Sequence, residues 1–115
     1  VQTFTLEIEI KNGRHITGPH ITGGYTPTAL IFEPLEEAQF DDVTYPEPES
    51  HRLELLNETL SVYTDRILLK TTLCNRRRED FTIRARLDYQ ACDHRECDLP
   101  QQLDFELPVT YLDTA

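Results

Sequence analysis

The sequence predicts an all-β domain of antiparallel sheets packed face to face, on three observations. Apolar and polar residues alternate with period two along several segments, Gly and Pro residues with turn chemistry separate those segments, and no long stretch carries a clean apolar stripe of helical period. Phe4, Leu6, Ile8 and Ile10 alternate with Thr5, Glu7, Glu9 and Lys11, so the first strand turns one face to a core and the other to water. Gly13, Gly18-Pro19 and Gly23-Gly24 then mark turns and loops rather than helix caps. Thr28 to Phe32 reads as a weaker strand, and Leu35 to Phe40 as a single short helical turn. Beyond Pro46 and Pro48, Arg52 to Leu56 and Ile67 to Leu73 are further weak strands, with Ser61 to Tyr63 a short extra one.

The pattern strengthens toward the C-terminus. Phe81, Ile83, Ala85, Leu87 and Tyr89 alternate with Thr82, Arg84, Arg86 and Asp88, and Leu103, Phe105, Leu107, Val109 and Tyr111 with Asp104, Glu106, Pro108 and Thr110. Pro108 removes a ladder donor, which places the last strand at a sheet edge or at a bulge. Short strands in this number, without crossover helices, predict an immunoglobulin-like sandwich.

A chain of 115 residues fits one domain, residues 1–115. It begins at Val1 with neither an initiator Met nor a charged and apolar leader, and so reads as a mature segment or one excised from a longer protein. No apolar run approaches the roughly 18 residues of a membrane helix, so contact with a membrane would come only through attached modules. A net charge of −10 works against nucleic acid as a partner, and none is expected, because phosphate binding needs a clustered basic surface. Arg76, Arg77 and Arg78 form the only such cluster and read as a solvated corner. His15, His20 and His51 read as scattered surface residues, and Asn57-Glu58-Thr59 as a glycosylation pattern of the kind that arises by chance. No catalytic Ser-His-Asp arrangement, phosphate-cradling loop or paired acid stands out, and no cofactor is called for.

Chemistry concentrates in the connection from Gln90 to Gln102, which is too long for a tight turn and holds Cys92 and Cys97. Four intervening residues allow the thiols to close into a disulfide or open to a dithiol. Such a small ring removes only about 2 kcal/mol of chain entropy from the unfolded state, which favours a bond that is made and broken over a staple. A permanent staple in a non-enzymatic interaction module is the alternative. A metal site from Cys92, His94 and Cys97 is a third reading, short of a fourth ligand unless His51 or Cys74 comes close. Asp88, Asp93, Glu96 and Asp98 disfavour a thiolate, while His94 and Arg95 favour one, so no strongly lowered thiol pKa is expected. The leftover Cys74 ends an alternating run and reads as a semi-buried small hydrophobe.

Tyr89-Gln90-Ala91-Cys92, four residues, then Cys97-Asp98-Leu99-Pro100 resembles the signature of the amino-terminal periplasmic domain of the thiol:disulfide interchange protein DsbD and its disulfide-corrector relatives. Val43-Thr44-Tyr45-Pro46 and Val62-Tyr63-Thr64-Asp65-Arg66-Ile67 are also similar to that family, in the expected order. The resemblance implies an immunoglobulin-like periplasmic domain that takes electrons from a thioredoxin-like partner and passes them to periplasmic thiol or disulfide substrate proteins. Cys92 and Cys97 would be the redox pair, Tyr89 would pack beneath them, and Leu99 and Pro100 would border the site. A cap loop with a shielding aromatic matches Glu54 to Thr59, where this chain has no aromatic and Leu56 takes the shielding position. Asp98 stands where the family has an apolar residue or proline, and a single Pro100 replaces the usual pair.

Overall fold

The computed structural model describes residues 2–21, 23–53, 58–76 and 78–111. All ten elements are strands: β1 (Gln2–Glu9), β2 (His15–Thr17), β3 (Ala29–Phe32), β4 (Ala38–Phe40), β5 (Glu49–Leu53), β6 (Glu58–Tyr63), β7 (Arg66–Asn75), β8 (Phe81–Tyr89), β9 (Ala91–Cys92) and β10 (Gln101–Val109). Every pairing is antiparallel, in three sheets of order β1-β7-β4, β10-β8-β3 and β5-β6-β2-β9. The expected all-β, immunoglobulin-like sandwich is the architecture found, with a third ladder closing one end. The chain enters and leaves that ladder repeatedly, with the tightest corners between β6 and β7 at Thr64-Asp65 and between β8 and β9 at Gln90.

Alternation assigns the core. Ile67, Leu69, Thr71 and Leu73 of β7 and Ile83, Ala85 and Leu87 of β8 point inward, and their polar neighbours point out. The main cluster joins Ile67 and Leu69 to Leu30, Ala85 and Leu87 of the opposing sheet, and to Ile16 and Tyr63 of the third ladder. A second cluster of Ala38, Leu73 and Ile83 fills the far end, where Phe4 meets Phe32 edge-on and Phe32 stacks on Phe40.

Two stretches of the family resemblance prove to be packing devices. The Tyr63 hydroxyl donates to the Pro46 carbonyl at 2.8 Å, and the Tyr45 hydroxyl accepts from the Leu30 amide at 3.0 Å. Burial, the Tyr45 hydroxyl and Glu47 together push the Tyr63 pKa up to about 12. Both rings thus bury apolar area while their oxygens satisfy backbone groups at the sheet corner.

The structure corrects several expectations. Leu35 to Phe40 is not a helical turn: Glu37 takes φ 59°, Leu35 bridges Ala38, and β4 adds to the edge of β7. β2 and β9 escaped detection because strands of three and two residues are too short for periodicity. The Arg52 strand is shifted to Glu49–Leu53; its remainder, Glu54 to Leu56, lies outside the described residues, as does Asn57. Cys74 is exposed rather than semi-buried, since it shares the outward register of β7 with Arg66 and Lys70. Pro108 does sit on an edge strand, β10, which among the described residues pairs only with β8. Arg76 and Arg78 are exposed at the β7–β8 corner, as a solvated corner requires.

Leu69 is fully buried, so Leu69→Ala should lower stability by about 2–5 kcal/mol in urea denaturation through transfer and cavity effects. Ile31, with 41% of its surface exposed, should tolerate Ala within about 0.5 kcal/mol in the same assay.

Candidate functional site

β8 ends at Tyr89, and the next residue, Gln90, turns the chain into the third ladder. Ala91 and Cys92 then form β9, pairing with Ile16 and His15 of β2. The chain reverses at Asp93–Glu96 and returns so that Cys97 bridges Cys92, Cα to Cα 3.9 Å, and the two are joined as a disulfide five positions apart. The reversal is held by the Asp93 amide donating to the Glu96 carbonyl (2.9 Å), and by the Asp93 carboxylate accepting from the Arg95 and Glu96 amides (2.7 and 2.9 Å). These two amide bonds, with a smaller contribution from His94 and Arg14, hold the Asp93 carboxyl below its ordinary range. The Asp98 amide closes the hairpin on the Ala91 carbonyl at 2.8 Å.

Gln90 locks this arrangement, and sequence reasoning passed it over as a mere motif letter. Its backbone carbonyl accepts from the Thr17 amide (3.0 Å), its side-chain oxygen from the Thr26 amide (2.8 Å), and its side-chain nitrogen donates to the Asp98 carbonyl (2.9 Å). One buried residue therefore joins β2, through its backbone carbonyl, to the segment after Gly23-Gly24 and the exit of the cysteine hairpin, through its side-chain amide. Thr17 adds a hydroxyl bond to the Thr26 carbonyl at 2.5 Å. Asp98, which departs from the family pattern, finds a partner in Arg14 of the β1–β2 turn. That ion pair ties the hairpin to the neighbouring corner, at about half exposure for Asp98.

Register decides which face carries the sulfurs. Ile16 and Ala91, directly opposite one another, pack on the main core, so their neighbours His15 and Cys92 turn to the other face of the ladder. There Leu53, Leu60 and Val62 form a small cluster with Ile21, Tyr25 and Cys97. Cys92 is wholly buried, whereas Cys97 is partly exposed. The two cysteines of the bridge thus differ in their exposure to solvent.

The other predicted residues divide. Leu99 is 80% exposed and Pro100 is exposed, both leaving the hairpin toward β10. Tyr89 packs in the main core with Leu87 and Ala91 rather than in the cluster that holds Cys97. Leu56 and most of the cap segment lie outside the described residues. His94 is exposed at the tip of the hairpin, and among the described residues no group of three or more His, Cys, Asp or Glu side chains is arranged to hold a metal ion.

His15 is the main correction. It was expected at the surface and is instead 5% exposed, paired with Cys92 across the ladder, its ring 4.1 Å from that of half-buried His51. Burial, and then the His51 ring, lower its pKa from the ordinary 6.5, with the Asp93 backbone pulling the other way. A three-residue strand bounded by Gly13 and Gly18 offers no periodicity from which to read a buried histidine. His20, by contrast, is exposed as expected.

No family model and no curated protein matches this sequence. Among solved structures, the crystal structure of the Neisseria meningitidis DsbD N-terminal domain in the reduced form is similar, with a TM-score of 0.65 over 92% of this chain and 76% of that one, at 15% identity. The fold is that of the DsbD amino-terminal domain. The resemblance carried by Tyr89-Gln90-Ala91-Cys92 therefore agrees with a likeness of fold over 92% of the chain. Among the described residues no helix is long and apolar enough to cross a membrane.

Gln90→Ala would leave the Thr26 amide and Asp98 carbonyl without partners, and should cost about 1–3 kcal/mol in thermal or urea unfolding. Protonation of His15 generates a second expectation. Its folded pKa lies below 6.5, so the unfolded chain takes up the proton first, and stability should fall as the pH drops below 6.5 toward the folded value. His15→Gln should flatten that part of the stability-versus-pH curve.

Proposed function

We propose that this is an extracytoplasmic thiol:disulfide exchange domain that carries two electrons through Cys92 and Cys97. The observation that supports the reading is the unequal burial of the pair: a buried Cys92 joined, within a five-residue separation, to a partly exposed Cys97. Exchange needs in-line attack on one sulfur and a leaving sulfur held close enough to resolve the mixed disulfide. Here the attacking thiolate joins Cys97, the Cys92–Cys97 bond breaks, and Cys92 leaves as a thiolate that stays in its strand. A second thiolate, from Cys92 or from the donor, then releases the mixed disulfide. The likeness to the DsbD N-terminal domain supports a thioredoxin-like protein or domain as electron donor, periplasmic thiol or disulfide proteins as acceptors, and a periplasmic setting.

Exposed Leu99 and Pro100 beside Cys97 supply an apolar rim on which such a partner would rest. The acidic character of the chain does not oppose this, since thioredoxin-like partners approach through an apolar active-site groove rather than through a phosphate backbone.

Two measurements check the proposal. The Cys92–Cys97 pair should have a reduction potential above about −300 mV; a value well below that would assign the bond to a structural staple. A Cys92→Ala variant, which keeps the reachable Cys97, should trap a thioredoxin-like partner as a mixed disulfide, whereas Cys97→Ala should trap far less because Cys92 is buried.

A further inference from the structure

Two imidazoles, His15 opposite Cys92 in the third ladder and His51 packed on it, are left unused by the exchange chemistry described so far. His15 stands directly opposite Cys92 in the β2–β9 ladder. Side chains so paired share a face, with Cβ atoms about 5 Å apart. The Nε2 atoms of His15 and of His51 are both buried with no hydrogen-bond partner among the described residues. Buried imidazole nitrogens are ordinarily satisfied, so an unpartnered pair beside a redox-active sulfur calls for a physical reason. Ring centroids only 4.1 Å apart and tilted by 51° describe stacking contact rather than two ligands converging on an ion.

We infer that His15 is the general base that activates the buried Cys92 thiol when it resolves a mixed disulfide at Cys97. The inference rests on the exchange reading above and adds the proton's route to it. With the partner sulfur bonded to Cys97, Cys92 is a thiol in a water-poor site, where a thiolate is costly without a proton acceptor. Nε2 of neutral His15 takes that proton and becomes imidazolium. The Cys92 sulfur attacks Cys97 Sγ, the Cys92–Cys97 bond forms, and the bond from Cys97 to the partner breaks. The partner leaves as a thiolate with the electron pair, so its sulfur is reduced and Cys92 oxidised, and the imidazolium proton passes to the departing thiolate or to water. In the opposite direction, imidazolium returns the proton to Cys92 as that sulfur leaves.

The groups facing His15 suit a base. Burial first, then His51 on β5 and Arg14, next to it in sequence, favour its neutral form, while Asp93 in the hairpin favours the imidazolium. Arg14 is itself occupied by Asp98, which tempers its effect. Burial excludes competing water from Nε2.

The test needs no biological partner. In a Cys74→Ala background, the reduced domain is treated with an aromatic disulfide whose released thiolate is coloured: the first release reports loading of Cys97, the second its displacement by Cys92. The second phase should be at least ~10-fold slower at neutral pH in His15→Gln, within the range of lost general-base catalysis, and should lose its inflection with pH. His51→Gln should move that inflection to higher pH, because it removes a neighbour that lowers the His15 pKa. Circular dichroism confirms that both variants fold. An unchanged second phase in folded His15→Gln, or a uniform slowing with an unchanged pH profile, overturns the inference. If the second phase depends on His15 while no thioredoxin-like protein is trapped by Cys92→Ala, the base stands and the choice of partner fails. A parent domain that releases no second thiolate overturns both.

Discussion

The site depends on the change of sheet at Gln90. β8 runs through the sandwich as a regular strand, and β9 belongs to a different ladder, so the chain must break its pattern at one residue and still satisfy the backbone groups at that corner. A glutamine does this with one carbonyl and one amide side chain, bonding Thr17, Thr26 and Asp98. A shorter or apolar residue could make the corner but could not also hold the segment that covers the outward face of the ladder. Because one residue sets the register of β9 against β2, it also sets which face the sulfur of Cys92 occupies, and hence which of the two sulfurs stays out of water.

The long strands were legible in the sequence because alternation over eight or more residues leaves little choice of face, as in β1, β8 and β10. The edge position of β10 was legible from one proline. What the pattern could not carry was everything shorter than one full repeat. β2 is buried on both faces, His15, Ile16 and Thr17 alike, so it shows no alternation at all. The turn before β4 depends on Glu37 with positive φ, a conformation that glutamate does not advertise. Cys92 and Cys97 were legible as a pair from spacing and motif, but their unequal exposure follows from the ladder, and the ladder from residues about eighty positions away. That distance hid His15 as well.

The same logic separates the motif into parts. Cys92 and Cys97 form the bridge, Gln90 holds the corner, and Tyr89 belongs to the sandwich. Tyr45 and Tyr63, which share the family pattern without lying near the sulfurs, satisfy backbone groups where the chain changes sheets. Asp98, a departure from the pattern, is compensated by Arg14. A fold can be shared at 15% identity because core side chains tolerate exchange when volume and patterning are preserved.

The bridge joins residues five apart, while β2 reaches its partner strand only across most of the chain. Closing so short a loop costs little entropy, so the cysteines meet readily in a nascent, unstructured polypeptide, well ahead of the long-range pairing that brings β2 against β9. Oxidation is therefore not a record of correct topology. During maturation the sulfurs should be protected from wandering to Cys74 by their own closeness, and only later by the walls of the finished domain.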